Sequence, residues 1–436
     1  MRRRSTIPTP LLWAAIIAFF SSFLFPGLRI AGVPISIASL VALAFLPVAS
    51  RGYDRPRWLT VVVAMIIIVF LAIFNAVLFG FEMRNILYLL IPLGAIGTVG
   101  LVKEIADNYG MPRLQRWALW LCIINIFIMV LQAFNVGGIN ENFSILWNAS
   151  IEYVATNDHE REILQLTLPI RPPGFFPTGI FASTAIYIIC RGIFIYQRKT
   201  WPLLLALMAI LISTNRTLAV IFIIYESVAV ASVMGLRRFF TRALSVILLS
   251  VLTVTVASQA GMDLYLLKFL TEELGDGFEA TASVVERLKT FEIFVANLPR
   301  HGLTGGFSSS ALAGEEHVFD SELMLRTLQF GIFGVICLAL VILVPRKGER
   351  TGSWAFLLVL GFLASLTTTL TTSVVYAVAI AFYKESIVRA NGNVPLPRPT
   401  ARYRKQRRRT VRGDSDSAKV LGAGNKMSPL GSEAAA

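Results

Sequence analysis

Three arginines, an aspartate and a histidine are the side chains best placed to do chemistry, because each stands in or beside an acidic or apolar stretch. Arg171 lies in Ile170-Arg-Pro-Pro-Gly-Phe-Phe-Pro177, just ahead of an apolar run, and Arg216 lies in Ser213-Thr-Asn-Arg-Thr217, a tight connection between two apolar runs. Arginine close to hydrocarbon is costly and usually faces a partner or a polar cavity, unless it snorkels to the interface. Thr214 and Asn215 are good caps for a following helix. Arg216 would then stand beside a helix N-terminus, itself an anion site, and dipole and guanidinium would pull together on a phosphate. Arg287 lies on an amphipathic segment, either solvated or turned toward a cavity, and Arg326 is expected to reach the interface. Asp320, in His317-Val-Phe-Asp-Ser-Glu322, begins an apolar run. It suits a helix cap, and it also suits a group that accepts a proton or orients a hydroxyl. His317 is a competing base with a near-neutral intrinsic pKa, and His301 and His159 are weaker ones. Gly302, Gly305 and Gly306, in Pro299-Arg-His-Gly-Leu-Thr-Gly-Gly-Phe307, form tight turns. Such a turn either only reverses the chain or cradles an anion with its N–H groups.

The chain that must position these residues has 436 residues, 55% apolar and 15% charged, with mean hydropathy +0.67. Soluble domains carry about 25% charged residues, so a water-soluble globule, a disordered chain and a coiled coil fit poorly. A polytopic all-α membrane protein is expected. Cys122, Cys190 and Cys337 all lie in apolar stretches, with no disulfide framework and no zinc spacing. No metal site and no cofactor are expected.

A bilayer core of about 30 Å takes about 20 apolar residues per helix. Spans are predicted over residues 10–25, 30–49, 58–78, 85–102, 117–134, 178–196, 201–213, 217–234, 240–258 and 322–344. The last apolar block, 354–383, is interrupted by the polar run 367–373 and fits one long tilted span or a hairpin. The first span follows Arg2, Arg3 and Arg4 without a cleavage site and reads as a retained anchor.

The net charge of +14 would suggest a nucleic-acid partner in a soluble protein, but here its distribution follows the spans. With the N-terminus inside, alternate connections hold Arg51, Arg55, Arg57; Lys103, Arg113, Arg116; Arg191, Arg198, Lys199; Arg237, Arg238, Arg242; and Arg346, Lys347, Arg350. The tail beyond Tyr383 holds 12 more Lys and Arg. The positive-inside rule places this tail on the same side, which requires the hairpin. About twelve transmembrane helices, with both termini cytoplasmic, are therefore expected. Residues 1–390 form the transmembrane domain, and 391–436 a disordered basic tail. Residues 402–412 suit a solvated topological anchor or a grip on anionic headgroups. No nucleic-acid partner is expected.

Two outer segments, 135–177 and 260–321, are too long to be mere turns. Together they carry 15 acidic and 6 basic residues. In the second, 263–274 and 283–298 read as short helices. Val284, Leu288, Phe291, Val295 and Leu298 make one apolar stripe, and Ser283 with Glu286 makes a capping box.

Taken in order, these features resemble the O-antigen polymerase and O-antigen ligase superfamily of bacterial inner-membrane proteins. The resemblance rests on Arg-x-x-Gly-x-Phe-Pro (Arg171, Gly174, Phe176, Pro177) and on Thr214, Arg216 and Thr217 between spans. A long outer segment follows, with Arg287 and the Pro-x-x-Gly-x-x-Gly-Gly turn, and then Asp320, Ser321, Glu322 and Gly331. It covers residues from about 165 to about 345. Such proteins join glycans carried on polyprenyl pyrophosphate at the outer face of the membrane, without a nucleotide sugar or a metal. A chain-length regulator and a flippase are the partners the family implies. Its ligases carry a His eleven residues before the helix Gly, where this chain has Asp320. The chain thus looks more like the polymerases, with His317 keeping the ligase alternative open.

The resemblance gives the arginines a task. Cleaving the C1–O bond of a lipid-linked sugar leaves negative charge on the pyrophosphate, which must be stabilised as it grows. Fixed guanidinium groups can do this with bidentate contacts, and Arg171, Arg216 and Arg287 are the candidates. Asp320 first, or His317, would take the proton of the attacking hydroxyl. Inversion is expected, since no pair of carboxylates suits a covalent intermediate. A transporter or lipid-oligosaccharide flippase is the third alternative. It would need charged residues deep in several spans, and few are evident in the sequence.

Overall fold

The computed structural model describes residues 9–25, 37–79, 83–133, 136, 139, 172–176, 178–213, 215–234, 282–306, 322–349, 356–357, 360 and 374–393. The chain divides into two units, Met1–Asn391 and Gly392–Ala436. Arg171, His317, Asp320, the segment 263–274, the span 240–258 and nearly all of the tail 391–436 lie outside the described residues.

The described residues are almost entirely helical and contain no strand. The helices are α1 (Thr9–Leu24), α2 (Ile37–Leu43), α3 (Leu46–Ser50), α4 (Arg55–Phe79), α5 (Met83–Tyr109), α6 (Met111–Ala133), α7 (Gly179–Gln197), α8 (Trp201–Ile212), α9 (Arg216–Met234), α10 (Ala282–His301), α11 (Glu322–Leu343) and α12 (Val374–Asn393). Four stretches are long and apolar enough to cross a membrane: Arg55–Leu78, Met111–Ala133, Gly179–Gln197 and Leu323–Leu343. The architecture is that of an all-helical membrane protein.

α4 shows why. Its inner face, Val61, Ala64, Ile68 and Leu71, is buried, while Leu59, Ile66, Phe70, Ile73 and Val77 are exposed. Both stripes are apolar. A soluble amphipathic helix would have a polar outer stripe; this one meets hydrocarbon.

The predicted span 30–49 is not one helix. α2 stops at Leu43 and α3 restarts at Leu46, with Pro47 in its first turn. Proline lacks the N–H that would continue the ladder, and its ring clashes with the preceding turn. The break rests on α5, where Gly97 and Gly100 are so close that a Cβ would overlap Ala42 O and Phe45 O. Small residues let backbones approach in this way.

α4 and α11 run antiparallel. Arg57 Nη1 donates to Arg346 O (3.1 Å) at one end, and Asn75 Nδ2 donates to Thr304 O (2.8 Å) at the other. The first end also joins Lys347 N to Gly52 O (2.9 Å), Gln197 to Gln115 (2.9 Å), Arg389 to Asp107 and Asn391 to Gly348 O (3.0 Å). Most described cations that the sequence assigns to one side therefore gather at one end. The flanks of the block 354–383 meet there too, since Arg346 pairs with Glu385 at 2.5 Å. Tyr376 meanwhile stacks on Phe181 near the start of α7. Residues 361–373, where the hairpin would turn, lie outside the described residues.

Candidate functional site

The opposite end holds the described parts of the predicted site. Asn215 caps α9: its Oδ1 accepts from Leu218 N (3.1 Å), and its Nδ2 donates to Ser183 Oγ on α7 (3.2 Å). Arg216 is the first residue of α9. The start of α7 and the start of α9 are thus tied together, with Asn215 buried between them.

α7 is reached through the turn 172–176. Gly174 has φ +62°, a conformation other residues rarely adopt, and a Cβ there would stand 3.1 Å from Met129 Cγ. Gly174 N donates to Gln132 Oε1 (2.7 Å), Gln132 Nε2 donates to Gly174 O (3.2 Å), and Phe175 N donates to Asn125 Oδ1 (3.2 Å). Phe176 is buried edge-on to Phe23. This accounts for the Gly-x-Phe part of the motif: the glycine makes the bend and the aromatic ring anchors it. Pro172, next after Arg171, is buried in the same turn. Asn125 and Gln132 escaped the sequence reading. Their signal was present, two amides seven residues apart on one face of an apolar span, where an unsatisfied amide is costly.

At the same end, α10 leads into the glycine turn, which is docked on α11. Gly302 N donates to Leu298 O (2.7 Å), Gly305 N to His301 O (2.8 Å) and Gly306 N to Gln329 O (3.0 Å). All three N–H groups are spent on carbonyls, which leaves none for an anion. The turn fits against a kink at Gly331 (φ 69°, ψ 171°), whose neighbour Ile332 N donates to Gly302 O (2.8 Å). His301 is buried, its Nδ1 donating to Gly305 O (3.1 Å), so it braces the turn.

Arg326 does not reach an interface. It is buried and donates to Gln329 Oε1, one turn along the same helix. Arg287 lies on α10, whose Phe294 and Ile293 pack on Leu328 of α11 while Phe291, Val295 and Leu298 stay exposed.

One polar group lies well away from this end. Arg191, counted with the cations of a connection, is inside the bundle. It pairs with Glu226 of α9, and its guanidinium carbon lies 4.4 Å from the ring centroids of both Tyr225 and Phe356. Tyr187 Oη donates to Glu226 Oε1 (2.7 Å). Glu226 is ten residues into α9, about 15 Å along its axis. A lone carboxylate and a lone arginine in two apolar runs were the only sequence signal.

The cation-rich end is charge-balanced by burial and pairing. Lys384, on α12, donates to Ile342 O and to Val344 O (3.0 Å), carbonyls at the end of α11 and just beyond it. Burial pushes its amine down to about 8, with Glu349 opposing and Arg346 adding to the shift. Burial raises the Glu385 carboxyl, but Arg346 and Arg389 outweigh it and hold it below its ordinary value. Asp107 is likewise held low: burial opposes its charge, and Lys103 and Arg389 prevail.

No family model matches the chain, and no curated protein matches it.

Proposed function

We propose that the chain is a glycosyltransferase of the bacterial inner membrane that polymerises polyprenyl-pyrophosphate-linked oligosaccharide units into a surface or secreted polysaccharide. It would have about twelve spans and both termini cytoplasmic. The cation-rich end would then face the cytoplasm, and the starts of α7 and α9 would face outward. The observation that carries this is the Asn215–Ser183 bond, which sets the first residue of α9, Arg216, beside the start of α7. A helix N-terminus with a guanidinium suits the charge that grows on a departing pyrophosphate. Arg171 and Arg287 would share that load, and Asp320, or His317, would take the proton of the acceptor hydroxyl. The exposed stripe of α10 supports a helix resting on the outer membrane face.

Reconstitution with a purified lipid-linked donor tests this. Arg216→Ala at normal protein level should make no polymer, and a fully active Arg216→Ala would remove the site. Deleting the gene should shorten the surface glycan, and unchanged chain length on a gel would overturn the polymerase. Polymer that accumulates on its carrier after deletion would identify the ligase instead. A flippase is favoured by one observation, the Arg191–Glu226 pair within the bundle, because intramembrane charges commonly mark substrate or ion pathways. Transport of the donor without polymer would establish it.

A further inference from the structure

A groove of about 360 Å³ opens beside α4, toward its cation-rich end, and none of the residues proposed for glycosyl transfer lines it. One wall is the α4 face carrying Trp58, Val62, Met65 and Val69, and the other is formed by Leu93 and Ile96 of α5. Ile66 on its rim is 61% exposed, so the groove is open to the surface that meets lipid. Its volume equals that of about a dozen waters, yet the indole N–H of Trp58 is the one side-chain hydrogen-bonding group that those walls offer. Water there would lack partners, and hydrocarbon would not.

Extending the same helical face toward the α4 N-terminus by one turn from Trp58 reaches Arg55. Arg55 is exposed, as is Arg51 just ahead of it. Neither has an ion-pair partner among the described residues, whereas Arg57 is held by Asp54 (3.5 Å) and Arg346 O. Tyr53 and Trp58 lie with ring centroids 5.9 Å apart at this level, suited to a headgroup boundary. An apolar slot whose α4 wall continues to the exposed Arg55, with the exposed Arg51 just ahead of it, suits an acyl chain joined to a phosphate. We propose that this groove is a binding site for an anionic phospholipid, its chain between α4 and α5 and its phosphate on Arg51 and Arg55.

The test is native mass spectrometry of the purified full chain, titrated with phosphatidylglycerol or phosphatidylethanolamine. Phosphatidylglycerol should bind more tightly. Arg55→Ala and Arg51→Ala should each weaken it roughly fivefold, Arg55→Lys should retain it, and Val62→Trp should lose it by filling the slot. Equal binding of the two lipids, or wild-type binding by Arg55→Ala, overturns the proposal. So does a Val62→Cys protein that cross-links to a second copy, which would mean that another chain covers the groove. Quenching of the unaltered protein by brominated phosphatidylglycerol, compared with a Trp58→Phe control, reads the same site without relying on a groove variant. Absence of Trp58-dependent quenching would also overturn it.

Discussion

The guanidinium of Arg191 on α7 and the carboxylate of Glu226 on α9 form an ion pair inside the bundle, with 5% and 2% of the residues exposed. Two rings flank the cation and a tyrosine hydroxyl donates to the anion. Breaking a buried pair leaves one charge without compensation, whereas replacing both partners with apolar groups is often neutral. Glu226→Ala should therefore destabilise the protein by roughly 3–5 kcal/mol. Adding Arg191→Met to it should restore most of the loss. Unfolding of both variants in detergent measures this. If the double variant is stable and keeps the parent's activity, the pair serves packing alone; if it is stable and inactive, the pair has a role beyond packing.

The contact between the glycine turn and α11 is backbone against backbone. A Cβ at Gly331 would overlap Leu303 O and approach Thr304 C to 2.8 Å, and the residue has positive φ. No rotamer change relieves a clash with main chain. Gly331→Ala should cost at least about 1–3 kcal/mol from conformation alone and should free the turn from α11. Ile336→Ala, on the exposed face, should stay within about 0.5 kcal/mol. Thermal unfolding of the two proteins side by side checks the difference.

Four of the expected spans were legible because the bilayer sets one length scale. The stretches 58–78, 117–134, 178–196 and 322–344 appear as α4, α6, α7 and α11, with α4 and α6 beginning earlier, at Arg55 and Met111. Helices continue past the hydrocarbon into water, and an apolar count stops at the hydrocarbon. The span 30–49 failed at Pro47 because hydropathy carries no information on missing N–H groups. Arg191 was assigned to a connection because linear charge counting sends a cation to its nearest loop; its partner is 35 residues away. The glycine turn was legible as a turn, but the use of its N–H groups depends on Gln329, on a different helix. At the candidate site, Asn215 was legible as a cap, since capping is local, while its bond to Ser183 spans 32 residues.

That bond separates a cap from a site. Asn215→Ala removes both, and should lose about 1 kcal/mol from the cap alone. Asn215→Asp keeps an acceptor for Leu218 N but cannot donate to Ser183. If the junction of α7 and α9 holds Arg216 for catalysis, Asn215→Asp should lose activity well beyond its change in stability. If Asn215 only starts a helix, Asn215→Asp should be as active as the parent. Product formation from a lipid-linked donor, alongside unfolding in detergent, distinguishes the two.

The cation-rich end makes stability rise with pH in two separate windows, one acid and one alkaline. Stability rises with pH wherever the unfolded chain binds more protons than the folded one. Lys384 has its amine lowered from 10.5 to about 8, so between those values the unfolded chain keeps a proton that the folded chain has released. Stability should increase with pH across that window, and below it the buried charge opposes the fold. Glu385, held below its ordinary 4.5, contributes stability that is fully present above that value and is lost as pH falls through its lowered value. Lys384→Met should lower stability overall, since α11 loses its bonds to Ile342 O and Val344 O, and should flatten the alkaline rise. Glu385→Gln should flatten the acid loss and leave the alkaline rise in place. Unfolding midpoints in detergent along the two limbs give both slopes. A Lys384→Met protein with the parent's alkaline slope would assign that titration to a different group.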